Sequence, residues 1–324
     1  MKTVLKWCVF IAVVTAFCSP TETEPSAEPP DGFIFGISRK TWTLGSKPMV
    51  ADSTGTIHRL VSRKRARMMW YNPYEQVHVN DIFPDFETTS RTRNRLNVMT
   101  LAFLKDSRDN FPGDGSWNSI MKWLGEDNTL TESDFLDIWL KGEHGTLYLD
   151  LGEISEDVIE NGSLNTEDHV IGQEKINGIL DEGEDIGLDM IPGTDGAGNS
   201  GEPFDDDWNY SALSNNYSQI NGTEGNGSGV ITDGESVPDT EDINGNGILD
   251  VQNNYFQYTI HLGRDNPESS QYIIEGRDNP IGWHLYRIPL SDFSAKIGNP
   301  GFGKISFIRL TCTGLTLWDR ISVY

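Results

Sequence analysis

Three stretches near the end of the chain decide the fold: Trp283-His-Leu-Tyr-Arg-Ile-Pro-Leu290, Ile305-Ser-Phe-Ile-Arg-Leu310 and Leu317-Trp-Asp-Arg-Ile-Ser-Val323. Each is short, rich in β-branched and aromatic residues, and set off by Gly, Asn, Pro or Asp, the pattern of strands joined by turns. Pro289 has no N–H to give to a ladder, so it ends the first of them. Working outward, Tyr255 to Leu262 and Tyr272 to Glu275 carry the same signature, as do Val98 to Leu104, Phe135 to Leu140 and Thr146 to Leu151. The five residues Lys141-Gly-Glu-His-Gly145 contain two glycines and predict a hairpin between the last two strands. Phe33 to Trp42 is a weaker first strand. One helix is expected after an N-cap at Ser116, because Trp117, Ile120, Met121 and Leu124 fall at i, i+3, i+4 and i+7. About eight strands with one short helix predict an all-β chain folded as an antiparallel β-sandwich.

The beginning of the chain reads as an export signal. Lys2 and Lys6 precede the apolar run Val9 to Ala16, and Val14-Thr-Ala16 offers a small-residue cleavage site, giving a leader of residues 1–16. The alternative for this run is an N-terminal strand. Residues 17–32, rich in Thr, Glu, Pro and Ser, form a linker with nothing to pack, and the folded domain spans 33–324. Cys18, followed by Ser-Pro-Thr-Glu, also suits a lipid-anchored tether, but Phe17 is bulky for the position before a lipidated cysteine. No stretch has the roughly 20 apolar residues of a membrane helix. Cys8 leaves with the signal, and Cys312 sits in an expected strand, so there is no disulfide framework.

Charge points to another staple. Asp150 to Asp250 holds 25 Asp and Glu against one basic residue, Lys175, a surplus equal to the entire net charge of −24. So acidic a surface disfavours nucleic acid. Between Leu151 and Tyr255 lies an insert, residues 152–253, too long to remain structureless in a compact domain. Asp242-Ile-Asn244-Gly-Asn246-Gly247-Ile248-Leu249-Asp250 has the spacing of a calcium loop. Asp242, Asn244 and Asn246 supply oxygens at positions 1, 3 and 5, Gly247 makes the turn, the Ile248 carbonyl ligates at 7, and Leu249 plugs the core. Asn253 stands at position 12, so Asp250, Asp239 or Glu241 would complete the shell. Asn177-Gly-Ile179-Leu-Asp181 repeats the end of this motif, with Glu184 at position 12 and Lys175 in place of a ligand. Bound Ca2+ would order the insert and contribute directly to folding.

No arrangement of base, acid and stabiliser emerges, and the chain is read as non-catalytic. Glu153, Glu156 and Asp157 lack the i, i+2, i+4 spacing of a jelly-roll glycosidase and read as surface acids. The six histidines show no metal-pair spacing. Trp70, Trp139 and Trp283 are expected in the core, whereas Trp208 and Trp318 are candidates for stacking on a sugar. The basic run Arg63-Lys-Arg-Ala-Arg67 either flanks a strand or pairs with the acidic insert.

The strand series resembles a galactose-binding-like jelly roll of the kind carbohydrate-binding modules use. Several pieces together, in order, resemble the SprA cell-surface proteins of gliding motility and type IX secretion: Arg65-Ala-Arg-Met-Met-Trp-Tyr-Asn-Pro-Tyr74, Ser116-Trp-Asn-Ser-Ile-Met121, Phe135 to Leu140, Leu149 to Val158, Pro238 to Asn244, Tyr255 to Tyr258, and Trp283 to Pro289. This resemblance implies a surface or outer-membrane setting, protein partners in the envelope, and a part in export or movement. The very large barrel of that family has no counterpart here. A secreted glycan-binding module is the alternative function, and a glycoside hydrolase the third.

Overall fold

A computed structural model describes residues 7–11, 34–52, 54–61, 64–66, 68–84, 86, 94–103, 115–168, 178, 184, 188, 238–263, 266–315 and 321–324, with Trp7–Ile11 described by its backbone alone. Two antiparallel sheets pack face to face. The first runs β13 (Ile273–Glu275), β14 (Trp283–Pro289), β10 (Ser133–Lys141), β17 (Ile321–Val323), β8 (Met99–Phe103), β5 (Met68–Tyr71), with β1 (Trp7–Ile11) beside β10. The second runs β15 (Ala295–Ile297), β12 (Asn254–His261), β11 (Thr146–Glu153), β16 (Phe307–Thr313), β9 (Trp117–Trp123), β2 (Thr43–Leu44). Two small ribbons, β3 (Met49–Ala51) with β4 (Ile57–Arg59) and β6 (Val77–His78) with β7 (Arg95–Leu96), lie outside them. The all-β sandwich expected from the sequence is the observed fold, and among the described residues no helix is long and apolar enough to cross a membrane.

Period-two alternation builds the core. Leu147, Leu149 and Leu151 of β11 face Leu136, Ile138 and Leu140 of β10, and all belong to one buried cluster. Each such aliphatic side chain contributes about 1.5–3 kcal/mol of burial. The other faces of both sheets are covered too. On the first, Trp139 meets Phe83 edge-on, with ring centroids 5.1 Å apart, and Asp137 takes a two-pronged ion pair from Arg287. On the second, Asp150 and Arg309 are both fully buried and pair at 2.7 Å. Gln257 donates to the same carboxylate, and the segment at Ser46 and Met49 caps the group.

Three expectations are corrected. Residues 117–123 are not a helix but strand β9, held between β16 and β2. Trp117 to Met121 are all buried, so both faces of the strand are covered and the alternation that would have marked it vanishes. Asn118 and Ser119 survive there because Ala66, Gly45 and Ser46 accept their donors. Among the described residues the one α-helix is α1 (Val79–Ile82), with His78 as its cap. Lys141–Gly145 makes no hairpin: β10 pairs with β14 and β17, β11 with β12 and β16, so the loop carries the chain across from one sheet to the other. Finally, Ile34 to Trp42, the described part of the expected first strand, forms no strand. Arg39–Thr41 forms a 3-10 turn, and Phe35, Ile37 and Trp42 bury themselves individually.

Near the N-terminus the described residues form β1, and residues 12–16 of the apolar run lie outside them. Trp7–Ile11 runs parallel to Ser133–Ile138 of β10.

Candidate functional site

β11 and β12 are neighbours whose last pair is Glu153 with Asn254, so the acidic insert is the connection of one long antiparallel pair. Gly152 shapes its exit: at φ 150°, a Cβ there would stand 2.2 Å from the Asn254 carbonyl oxygen. Beyond that point the two arms are joined mainly through carboxylates. Glu156, on the outgoing arm, is fully buried and accepts from the backbone N–H groups of Ile243, Asn244 and Asp250. Glu241, on the returning arm and also fully buried, accepts from Val158, Ile159 and Asn165. Each arm thus clamps the other with one carboxylate. Further out, Thr166 bridges to Thr240, and Glu167 accepts from the Asp239 N–H. Side-chain oxygens here do what ladder carbonyls do in a sheet, which buried N–H groups require.

Burial raises both clamps. The Glu156 carboxyl is pushed up to about 7 by desolvation, aided by the charges of Asp250 and Asp242 and opposed by the N–H groups it holds. Glu241 moves the same way for the same first reason, with Asp157 adding to it. The reading of Glu156 as a surface acid is therefore corrected. Glu153 instead pairs with Lys304, and Glu160 with Lys47 and Arg59. Arg65, from the basic run, lies over the Trp117 ring and donates to the Val158 backbone carbonyl of the insert.

The loop Asp242 to Asp250 is drawn inward. Asp242 accepts from the N–H groups of Asn246 and Gly247, Asn244 accepts from Asn246, and Asn246 accepts from Ile248. The side-chain amides of Asn244 and Asn246 both donate to one oxygen of Asp250, at 2.7 and 3.2 Å. Gly247, at φ 76°, makes the sharp turn its position requires. Turning the two amides over would bring two oxygens toward Asp250, an arrangement stable only with a cation between them. Among the described residues no three acid, His or Cys side chains converge to hold a metal. Any cation here would draw on Asp242, Asp250, the two amides and carbonyls such as that of Ile248.

Leu249 does not plug the core. It is half-buried, and Ile243 packs beneath the loop instead. Of the second copy, Glu184 is buried, while Gly178 donates its N–H to Asp168 at 2.6 Å. Asn177, Ile179 and Asp181 lie outside the described residues, as do Trp208 and Trp318. Trp70, Trp139 and Trp283 are core residues, and Cys312 is a buried thiol. At the opposite end of β11, an open pocket of about 510 Å³ is lined by Glu143, His144, Asn266 and His284 together with Leu262 and Pro280. The buried acids Glu167 and Asp168 escaped the sequence reading because neither stands at a ligand spacing, while Glu241, read as a candidate for the loop's shell, holds backbone of the outgoing arm instead. The only signal for Glu167 and Asp168 was excess negative charge without cations nearby.

Comparison with known proteins adds a setting. Residues 201–318 match the SprA_N family model, described as a motility related/secretion protein. The SprA_N match covers the returning arm of the insert and strands β12 to β16, and the likeness to the SprA family read in the sequence is borne out there. This part of the chain is therefore similar to a motility related/secretion protein. No curated protein matches the chain.

Proposed function

We propose that the chain is a non-catalytic SprA-like surface module that folds its acidic insert around Ca2+ and makes protein contacts at the cell envelope. One observation carries the reading: Glu156 and Glu241 are fully buried in reciprocal clamps, immediately beside the inward-drawn Asp242 to Asp250 loop. Burying this much negative charge is costly, and a divalent ion held by the loop offsets it. The SprA_N match, to a motility related/secretion protein, supports this reading of the setting.

Thermal melting with calcium and with chelator tests it. A ligand that binds only the folded form stabilises it, by about 2.7 kcal/mol at a hundred times its Kd. Calcium should raise the melting temperature of the chain, and Asp242→Ala with Asn246→Ala should abolish that rise. Identical melts in saturating calcium and in chelator end the reading.

A further inference from the structure

Strand β1 joins the sandwich unlike any other. Among the described strand pairs it makes the one parallel ladder, and β10 is its one partner strand. Its seat lies on the same side of β10 as β17, where Leu140 and Lys141 pair with Val323 and Ser322 and Trp139 exchanges both backbone bonds with Tyr324. From Ile138 back to Ser133, the side of β10 away from β14 faces Trp7–Ile11. The seat is chemically suited to an apolar strand. Leu136 and Ile138 point into the core, and the one carboxylate at its centre, Asp137, is neutralised by both prongs of Arg287. The occupant is apolar throughout: Trp, Cys, Val, Phe, Ile.

We infer that the Ser133–Ile138 edge of β10 is a strand-acceptor site, holding Trp7–Ile11 in cis and taking an apolar extended segment of a partner protein when that strand is displaced. Main-chain pairing supplies the attachment and the alternate apolar side chains the preference, as in other cases of strand addition. An open edge invites such pairing, and here the filled edge shows which chemistry it accepts. A strand held by a single ladder to one neighbour can be exchanged without breaking the rest of the sheet. Removal of residues 1–16, the cleavage the sequence suggests, vacates the same seat. The inference rests on the protein-contact part of the proposed function and is independent of its calcium part.

Register provides the test, because Cys8 stands opposite Phe135 and Trp7 opposite Ser133. In the full chain, Phe135→Cys should close a disulfide with Cys8 under mild oxidation, a pairing that needs neighbouring backbones. Trp7→Cys with Ser133→Cys reads the same ladder at its half-buried end should Phe135→Cys fold poorly. Adding Val9→Pro and Phe10→Pro removes an inward N–H whichever residue faces β10, and the cross-link should be lost. With Cys8→Ser, Val9→Pro, Phe10→Pro and Phe135→Cys combined, a synthetic peptide of residues 6–12 should form a saturable mixed disulfide with the thiol introduced in β10. The same peptide bearing Pro at positions 9 and 10 should not. No intramolecular cross-link in either variant overturns the inference, as does capture of both peptides alike or of neither, or disulfide-linked dimers of the chain alone. A calcium-insensitive melt with peptide capture intact would end the calcium reading and leave this one standing.

Discussion

Asp150 and Arg309 show how a single pair can govern a sheet face. Both are wholly buried on the covered side of the second sheet, where Arg309 also lies over the Tyr255 ring at 4.9 Å. Breaking such a pair leaves an uncompensated charge, so Asp150→Ala should destabilise the chain by about 3–5 kcal/mol in urea unfolding. Replacing both with Asp150→Leu and Arg309→Met should cost less than Asp150→Ala alone, since no charge then remains to desolvate. A loss under about 1 kcal/mol for Asp150→Ala would mean that water reaches the pair. Gly152 is the second residue on which much depends. A methyl group there meets the Asn254 carbonyl, and the φ of 150° suits few side chains. Gly152→Ala should therefore loosen the base of the insert and lower stability by about 1–3 kcal/mol, seen in the same unfolding measurement.

Among the elements, the insert responds to pH in a direction its buried acids fix. Glu156 holds its proton up to about 7 when folded, against an ordinary 4.5. The folded chain thus binds a proton that the unfolded chain releases, so stability falls as pH rises from about 4.5 to about 7 and levels off beyond. Glu241 adds to the same slope. In chelator, the melting temperature should drop between pH 4.5 and 7, and Glu156→Gln should flatten that drop. A melting temperature that rises across this window contradicts the clamp. Legibility differed among elements for related reasons. β11 announces itself by alternation because Tyr148 and Asp150 separate Leu147, Leu149 and Leu151. β9 does not, because Trp117, Ile120 and Met121 fall at helical spacing and Trp117 to Met121 are all buried. The Lys141–Gly145 loop looked like a hairpin since nothing local distinguishes a turn within a sheet from an arch between sheets; the partners of β10 and β11 lie more than a hundred residues away in sequence. The loop Asp242 to Asp250 was legible from its Asp, Asn and Gly spacing. The clamps Glu156 and Glu241 were not, because each binds backbone on the opposite arm.

At the scale of the whole molecule, the described parts of the insert are tied to the sandwich, since the insert grows from a central strand pair and Leu188 within it belongs to the main core, and the two should unfold together. Cys312 is a reporter for that cooperativity. It lies in the middle of the second sheet, opposite Leu147 on one side and Asn118 on the other, and burial pushes its thiol up to about 12. A thiolate, the reactive form, can therefore appear only after β16 has lost both neighbours. In a chain carrying Cys8→Ser and Cys18→Ser, thiol labelling at pH 8 should proceed only through global opening. Its free energy should then fall with urea along the same slope as equilibrium unfolding, as expected when the opened state exposes the full surface. Labelling that is fast in native buffer, or independent of urea, would show β16 opening alone, and the sheet that supports the insert would not be a single unit.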